Sequence, residues 1–439
     1  MNNLTKVLLI ACSVLFSHQA QSDQLAAGKM HSVYLNDNGV VYKWGSESPL
    51  GIGKKLIPTI VDYGTEVVKI DASGYHTAIL TKSGDLYVSG YGVSTTPMLL
   101  DVVDGVTSMA MNNQSIVLLA AGGRVYDYNF SSKILTDTGI ENATEVSADT
   151  DRGMALVCGV VKSWGNNEFG QLGLGNYLDV PAELAEPILN LPMIVSMSAG
   201  EKHTLLLDVD GHVWAFGDGK NGLLGDGGSS GSNMPILVEG LTDIVKVSGG
   251  RNQSVAIDKD GQMFVFGWHN MRYRNFGLNL YDISPIKVNA GIMDAVELVT
   301  TGGTQTIVKK DGKLHAVGGN TYGMIGDGTR TERNQFVVLG GIDVTQPQTV
   351  RDVDVTKPVE QYVEVTNIVE EVNDVIQEVE IIKYVQADSA KVDVCGMGGM
   401  VTTYDELRDI VANYMVCSSK RERKELHNII EIGDGSKKI

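Results

Sequence analysis

The densest group of contact-forming side chains in this 439-residue chain is Trp268-His269-Asn270-Met271-Arg272-Tyr273-Arg274. Trp, Tyr and Arg combine large apolar area with hydrogen-bonding ends, and such types dominate interface hot spots. Here they stand in a chain of formal net charge −18. The chemistry they offer is recognition, with Trp268, Arg272, Tyr273 and Arg274 as candidate partner-binding residues. The competing reading packs Trp268 between structural units and pairs the two arginines with nearby carboxylates.

Other reactive types are better explained by structure. His31, His76 and His203 occupy equivalent places in separate copies of a repeat, so they read as hydrogen-bonded strand residues rather than as one metal cluster. The Gly-Asp-Gly loops at Asp226 and Asp327 lack the alternating oxygen ligands of a calcium loop, and turn chemistry accounts for them. The sequence carries no P-loop, no nucleophile elbow, no HExxH and no CxxC pair. No catalytic residue, metal or cofactor is therefore expected.

The elements that must carry the candidate loop come from internal repetition. Residues 200–217 read GEKHTLLLDVDGHVWAFG, and 250–267 read GRNQSVAIDKDGQMFVFG. Further copies lie at 28–45, 74–90 and 303–318, with weaker ones at 112–128 and 151–165. In each, a Gly opens an apolar strand and a two-residue turn reverses the chain. A second strand then ends on an aromatic and a Gly. Cys158-Gly159 takes the turn position in one weak copy, and Gly122-Gly123 in the other. A lone hairpin is marginal in water. Seven of them in radial array cover one another and leave short edges.

Between hairpins runs a second signature, WGNNEFGQLGLG at 164–175, with looser versions at 217–227 and 318–328. Together with the hairpin pattern it resembles the regulator-of-chromosome-condensation repeat family over about residues 25–345. The short second and third units look most like those of exported bacterial members. The resemblance implies an all-β, seven-bladed β-propeller over 23–346. In the sixth unit the family loop is enlarged: eight residues, Trp268 to Asn275, separate Gly267 from Phe276, where Asn166, Asn167 and Glu168 suffice in the fourth. The segment Val337 to Val344 resembles the start of a further unit without its hairpin. No strand is expected before the first hairpin, so a strand from 336–345 should pair into the first blade and close the ring.

Acidity disfavours nucleic acid as a partner, because phosphate backbones repel such a chain. The basic run Lys420, Arg421, Arg423 and Lys424 is interleaved by Glu422 and Glu425 and reads as a solvated helix face. Lys6, the apolar stretch Val7 to Phe16 and Ala20-Gln21-Ser22 read as a signal peptide over 1–22, cut before Asp23. A rival reading lipidates Cys12 in Leu9-Ile10-Ala11-Cys12. No later stretch is apolar enough to span a membrane.

Past Val344 the composition changes. Residues 347–394 read as a linker and a coiled-coil stalk: Val365, Ile368, Val372, Val375, Val379 and Ile382 follow heptad spacing, so 359–385 could oligomerise. An extended strand is the opposing reading. After a turn at Gly396–Met400, residues 395–439 read as a small α-helical hairpin with capping boxes at Thr403/Glu406 and Ser419/Glu422. Cys395 and Cys417 are a candidate disulfide; alternatively these two and Cys158 all remain thiols. The sequence thus points to an exported, non-enzymatic propeller that binds a protein partner through its loop rim. The alternatives are a structural protein displayed on a cell or virion surface and a GTPase nucleotide-exchange regulator.

Overall fold

The computed structural model describes residues 23–48, 50, 53–267, 285–287, 296–340, 342, 391–394 and 397–400. These fall in two units, a propeller and a separate strand pair.

The propeller consists of seven four-stranded antiparallel sheets, each formed by consecutive strands. Blade 5 shows the plan: Ile194–Ala199 is innermost, followed by His203–Asp208, Val213–Gly217 and, outermost, Ser232–Leu237. The repeated hairpin supplies the second and third strands of every blade. The weak copies behave alike. Ser115–Ala120 pairs with Val125–Asn129, and Arg152–Val157 with Val160–Gly165. Cys158 and Gly159 turn the latter hairpin at φ 49° and 85°, the positive region that two-residue hairpin turns require. No α-helix occurs among the described residues.

Each sheet buries both faces against its neighbours, so the core is a series of layers between blades. Leu205, Leu207 and Ala215 of blade 5 pack with Ala256 and Phe266 of blade 6. Trp44 and Tyr34 of blade 1 pack with Ile307, Leu314 and Ala316 of blade 7. A fully buried side chain of this size contributes about 1.5–3 kcal/mol. Outermost strands are less buried than the second strands and hold prolines: Pro58, Pro97, Pro187 and Pro235 all lie there. Proline cannot donate to a ladder, so it blunts an edge at little cost.

The Gly that opens each copy serves close approach. A Cβ on Gly200 would stand 2.6 Å from the carbonyl oxygen of Gly250 in the next blade. The repeat histidines are structural as expected. His31 Nε2 bonds Thr77 Oγ1 of the next blade at 2.9 Å, His203 Nε2 bonds Ser254 Oγ at 2.8 Å, and His76 Nε2 bonds the Tyr91 carbonyl at 2.8 Å. The aspartates of the Gly-Asp-Gly loops also serve turns. Asp226 Oδ1 accepts from Gly228 N, and Asp327 Oδ1 accepts from Thr329 N and Asn320 Nδ2.

Ring closure corrects the sequence reading. A strand does precede the first hairpin: Gln24–Ala27 forms the inner edge of blade 1. The late strand Arg333–Val338 instead pairs with Lys313–Gly318, as the outer strand of blade 7. Blades 1 and 7 are therefore each complete, and side chains join them. Gln305 Nε2 donates to the carbonyls of Gly28 and His31. Lys309 pairs with Asp23.

In the second unit, Lys391–Val394 pairs antiparallel with Met397–Met400. Residues 397–400 are thus a strand, where the sequence reading put them in a turn. The heptad segment, the capped helices, Cys395 and Cys417 lie outside the described residues, as does the signal segment.

Candidate interaction face

The innermost strands surround a central channel of about 270 Å3. Its polar groups bond blade to blade. At one repeated position, Asp71 Oδ2 accepts from Met111 N at 2.6 Å, Ser147 Oγ from Ala199 N at 3.1 Å, Ser198 Oγ from Gly249 N at 2.8 Å and Ser248 Oγ from Thr301 N at 3.1 Å. Two residues earlier on the same strands, Lys69 Nζ donates to Ser108 Oγ at 2.5 Å, and Lys246 Nζ to the Glu297 carbonyl at 2.6 Å. Glu145 accepts from Met197 N at 3.4 Å and Ser196 Oγ at 3.5 Å. Burial pushes its carboxyl up to about 7, against the attraction of Lys69. Burial likewise raises Asp71 and Asp149 above the usual carboxylate range. These titratable groups sit in the walls as seam bonds.

Arg152, at the repeat-histidine position of blade 4, was not singled out from sequence. Its Nη2 donates to the carbonyls of Gly200 and His203 at 2.7 and 2.6 Å. Burial lowers its pKa to about 10.

The end of the ring formed by first-to-second-strand turns also carries every third-to-fourth-strand loop. The residue two places before each repeat-histidine position lines the channel there, and the residue after it lies beside the mouth. Lys29 Nζ lies 5.5 Å from the centroid of Tyr75, which meets Tyr91 edge-on at 6.3 Å. Tyr91 is 59% exposed. Lys202 Nζ lies 4.4 Å over the Phe169 ring, within cation–π range. Arg251 Nε pairs with Glu201 at 3.0 Å. Lys29, Tyr75, Tyr91, Phe169, Lys202 and Arg251 were all missed from sequence. Part of the signal was present: Lys29, Tyr75, Lys202 and Arg251 lie between the opening Gly and the repeat-histidine position of their copies, while Tyr91 follows a closing Gly and Phe169 sits in the GQLG loop.

Trp268, Arg272, Tyr273 and Arg274 lie outside the described residues. Gly267, the last described residue before them, pairs with Gln253 beside the Arg251 turn at this same end. The turns of the opposite end are acidic, with Asp62, Asp101, Asp104, Glu239, Asp260 and Asp311 exposed.

Among the described residues, one group brings ligand-type atoms together: Asp208, Asp210 and His212 at a hairpin turn. Asp208 Oδ1 already accepts from the backbone of Asp210 and His212, and Oδ2 from Trp214 Nε1. These bonds build the turn.

Comparison with known proteins fits this geometry. A profile described as regulator of chromosome condensation (RCC1) repeat matches residues 159–207 and 210–257, and a second of the same description matches 67–94 and 194–223. The ultraviolet-B receptor UVR8 of Arabidopsis thaliana is 29% identical over 261 residues, 51% of this chain and 59% of the receptor. The E3 ubiquitin-protein ligase HERC2 of Mus musculus is 26% identical over 335 residues, 66% of this chain and 7% of the ligase. The chain therefore matches only part of the length of these curated relatives. Prp20p of Saccharomyces cerevisiae superposes with a TM-score of 0.56 at 20% identity, covering 64% of this chain and 80% of Prp20p. That likeness shows the fold.

Proposed function

From the premise that this propeller is of the RCC1 repeat family, we propose that the chain is an exported, non-enzymatic binder that holds a protein partner on the loop-bearing end of its ring. One observation carries the reading. The titratable groups of the channel wall are engaged in blade-to-blade bonds, whereas the loop-bearing end presents Lys29, Tyr75, Tyr91, Lys202 and Arg251 around its mouth. Aromatic and cationic side chains on an acidic protein are the composition of an interface rather than of a catalytic cleft. A structural relative, yeast Prp20, has been crystallised with Kap60, and Prp20p is described with binding to Gsp1p and histones. The repeat also occurs in proteins named as a receptor and as ubiquitin ligases, so a fold of this kind does not fix an activity.

Arg272, Tyr273, Arg274 and Trp268 are proposed as part of the same face, since Gly267, which precedes them in sequence, pairs with Gln253 beside Arg251. Residues 359–385 are proposed to oligomerise the protein; light scattering with and without that segment tests it, and a monomer in both cases ends the idea. The binding test is capture of a partner from an envelope fraction by the exported protein. Replacing Arg272, Tyr273 and Arg274 together with Ala should weaken capture well over tenfold, about 2 kcal/mol or more for a hot-spot cluster. The melting temperature should hold. Unchanged capture, or a large loss of stability, would return that loop to a structural role.

A further inference from the structure

Asp23 stands at the seam where the ring closes. It is only 6% exposed, and its carboxylate pairs with Lys309 of blade 7. Lys309 Nζ also meets Glu297 Oε2 at 3.0 Å. The backbone nitrogen of Asp23 donates to Asp37 Oδ1 at 2.8 Å. Asp37 lies in the turn of the first hairpin, yet the turn does not need its carboxylate. Asn36 Oδ1 builds it by accepting from the backbone of Asn38 and Val40 at 3.1 and 2.9 Å. The Asp37 carboxylate thus remains available to the nitrogen of Asp23.

Charge at this seam is unbalanced. Asp23, Asp37 and Glu297 share Lys309, and a further cation beside them, Lys246 of blade 6, meets Glu297 rather than Asp37. Burial and the neighbouring Asp23 both push the Asp37 carboxyl up. A second cation near Asp37 would relieve this, and a chain beginning at Asp23 would supply one on the atom that already donates to Asp37. A peptide N–H offers one proton and no net charge; an α-ammonium offers three protons and a full charge.

We propose that the chain is processed at the Ser22–Asp23 bond and that the α-ammonium so released is seated on the Asp37 carboxylate, completing the seam between blades 1 and 7. The inference rests on the export reading. The step is a hydrolysis by a leader-removing peptidase of the exporting membrane. The Ser22–Asp23 C–N bond breaks, water gives its hydroxyl to the Ser22 carbonyl, and the amine takes up protons. The fold limits the cut on one side. Gln24 opens the inner strand of blade 1, and its side chain bonds the Val68 carbonyl at 2.8 Å and Ile70 N at 3.1 Å in blade 2. A cut beyond Gln24 would remove that strand's start.

Two measurements on the full chain, expressed with its leader in an export-competent host, test the proposal. N-terminal sequencing and intact mass should give Asp23 as the first residue. A chain retaining Met1 would defeat the export reading itself. A chain trimmed elsewhere, at Cys12 for example, would leave export standing and overturn this assignment. In the processed chain, the α-amine is then titrated by NMR after isotopic methylation. It should titrate roughly one unit above the ordinary range of about 7.7–8.0, and Asp37→Asn should return it to that range. An α-amine already in the ordinary range in the unsubstituted protein would overturn the seat without reference to any variant.

Discussion

Trp44 Nε1 donates to the carbonyl oxygen of Met324 at 2.8 Å, across 280 residues of sequence. The same carbonyl accepts from Ser32 Oγ at 3.0 Å. This is the last use of a repeated clamp. Thr204 Oγ1 reaches the Gln171 carbonyl at 2.8 Å, and Ser254 Oγ reaches the Leu223 carbonyl at 2.9 Å. In each case the residue after the repeat-histidine position reads the second residue of GQLG, GLLG or GMIG in the preceding blade's loop. At the seventh blade the clamp lands on the first and closes the ring. Trp44→Phe should keep the packing but orphan part of this bond, lowering stability by about 1–3 kcal/mol in denaturant titration. Truncation after Ile342 should leave the propeller's melting temperature nearly unchanged. A collapse on truncation would show that residues beyond Ile342 contribute to the propeller's stability.

The buried histidines make the ring acid-sensitive. Burial lowers His203 to about 3 and His31 to about 4, from 6.5 in the unfolded chain. Below pH 6.5 the unfolded chain therefore binds protons that the folded one refuses. Stability falls as pH drops from about 6.5 towards 4, by about 1.4 kcal/mol per unit for each histidine. Gln253 holds the equivalent position in blade 6 and bonds Thr306 Oγ1 at 2.8 Å, so glutamine fits the geometry. His203→Gln should fold and show a shallower loss of stability between pH 6.5 and 4. An unchanged pH slope would show that His203 does not titrate in this way.

Glu145 works in the opposite direction. Its folded pKa of about 7 lies above the 4.5 of the unfolded chain. Between these values the folded state holds the extra proton, so this group favours folding as pH falls from 7 to 4.5 and opposes it above 7. Glu145→Gln should therefore stabilise the protein at pH 8 and change little at pH 4.5, read from unfolding midpoints at both. Equal effects at the two pH values would refute the assignment.

The hairpins were legible because their turns and their alternation are local. Asp208 and Gly211 shape one turn whatever surrounds it, and even Cys158-Gly159 kept its place. Blade count followed from counting turns. Closure was not legible, because it depends on which neighbour a short strand meets. Gln24–Ala27 is four residues long with no pattern of its own, and Arg333–Val338 resembles any outer strand. The mouth residues escaped for a related reason. Tyr75 and Lys202 occupy one repeat position, and Lys29 and Arg251 the one before it, yet each position varies in type from blade to blade. Only the ring places them side by side.

Arg152 replaces histidine in blade 4 and holds blade 5 through the Gly200 and His203 carbonyls and, at 3.3 Å, Thr204 Oγ1. It is 1% exposed. Arg152→Ala would strip these acceptors of a donor and leave a cavity, and should cost about 3 kcal/mol or more in chemical denaturation. Arg152→Gln, the residue used in blades 6 and 7, should recover part of that. Equal losses in the two variants would argue against hydrogen bonding as the cause.

The interaction face can be separated from the fold by residues that touch solvent. Tyr91 is 59% exposed and contacts Tyr75 by its ring edge, while Lys29 covers the Tyr75 ring from blade 1. Neither Tyr91 nor Lys29 closes a core layer. Exposed contacts of this kind contribute about 0.5–1 kcal/mol each to stability, whereas an aromatic at the centre of an interface can carry 2 kcal/mol or more of binding. Lys29→Ala with Tyr91→Ala should therefore leave the unfolding midpoint nearly in place while reducing partner capture more than tenfold. Arg124 is the control. It lies at the acidic end, paired with Asp137 at 3.1 Å, and Arg124→Ala should alter neither capture nor midpoint appreciably. If Arg124→Ala weakened capture and the Lys29/Tyr91 pair did not, the partner would sit on the acidic end, and the cations around the channel mouth would be seam contacts only.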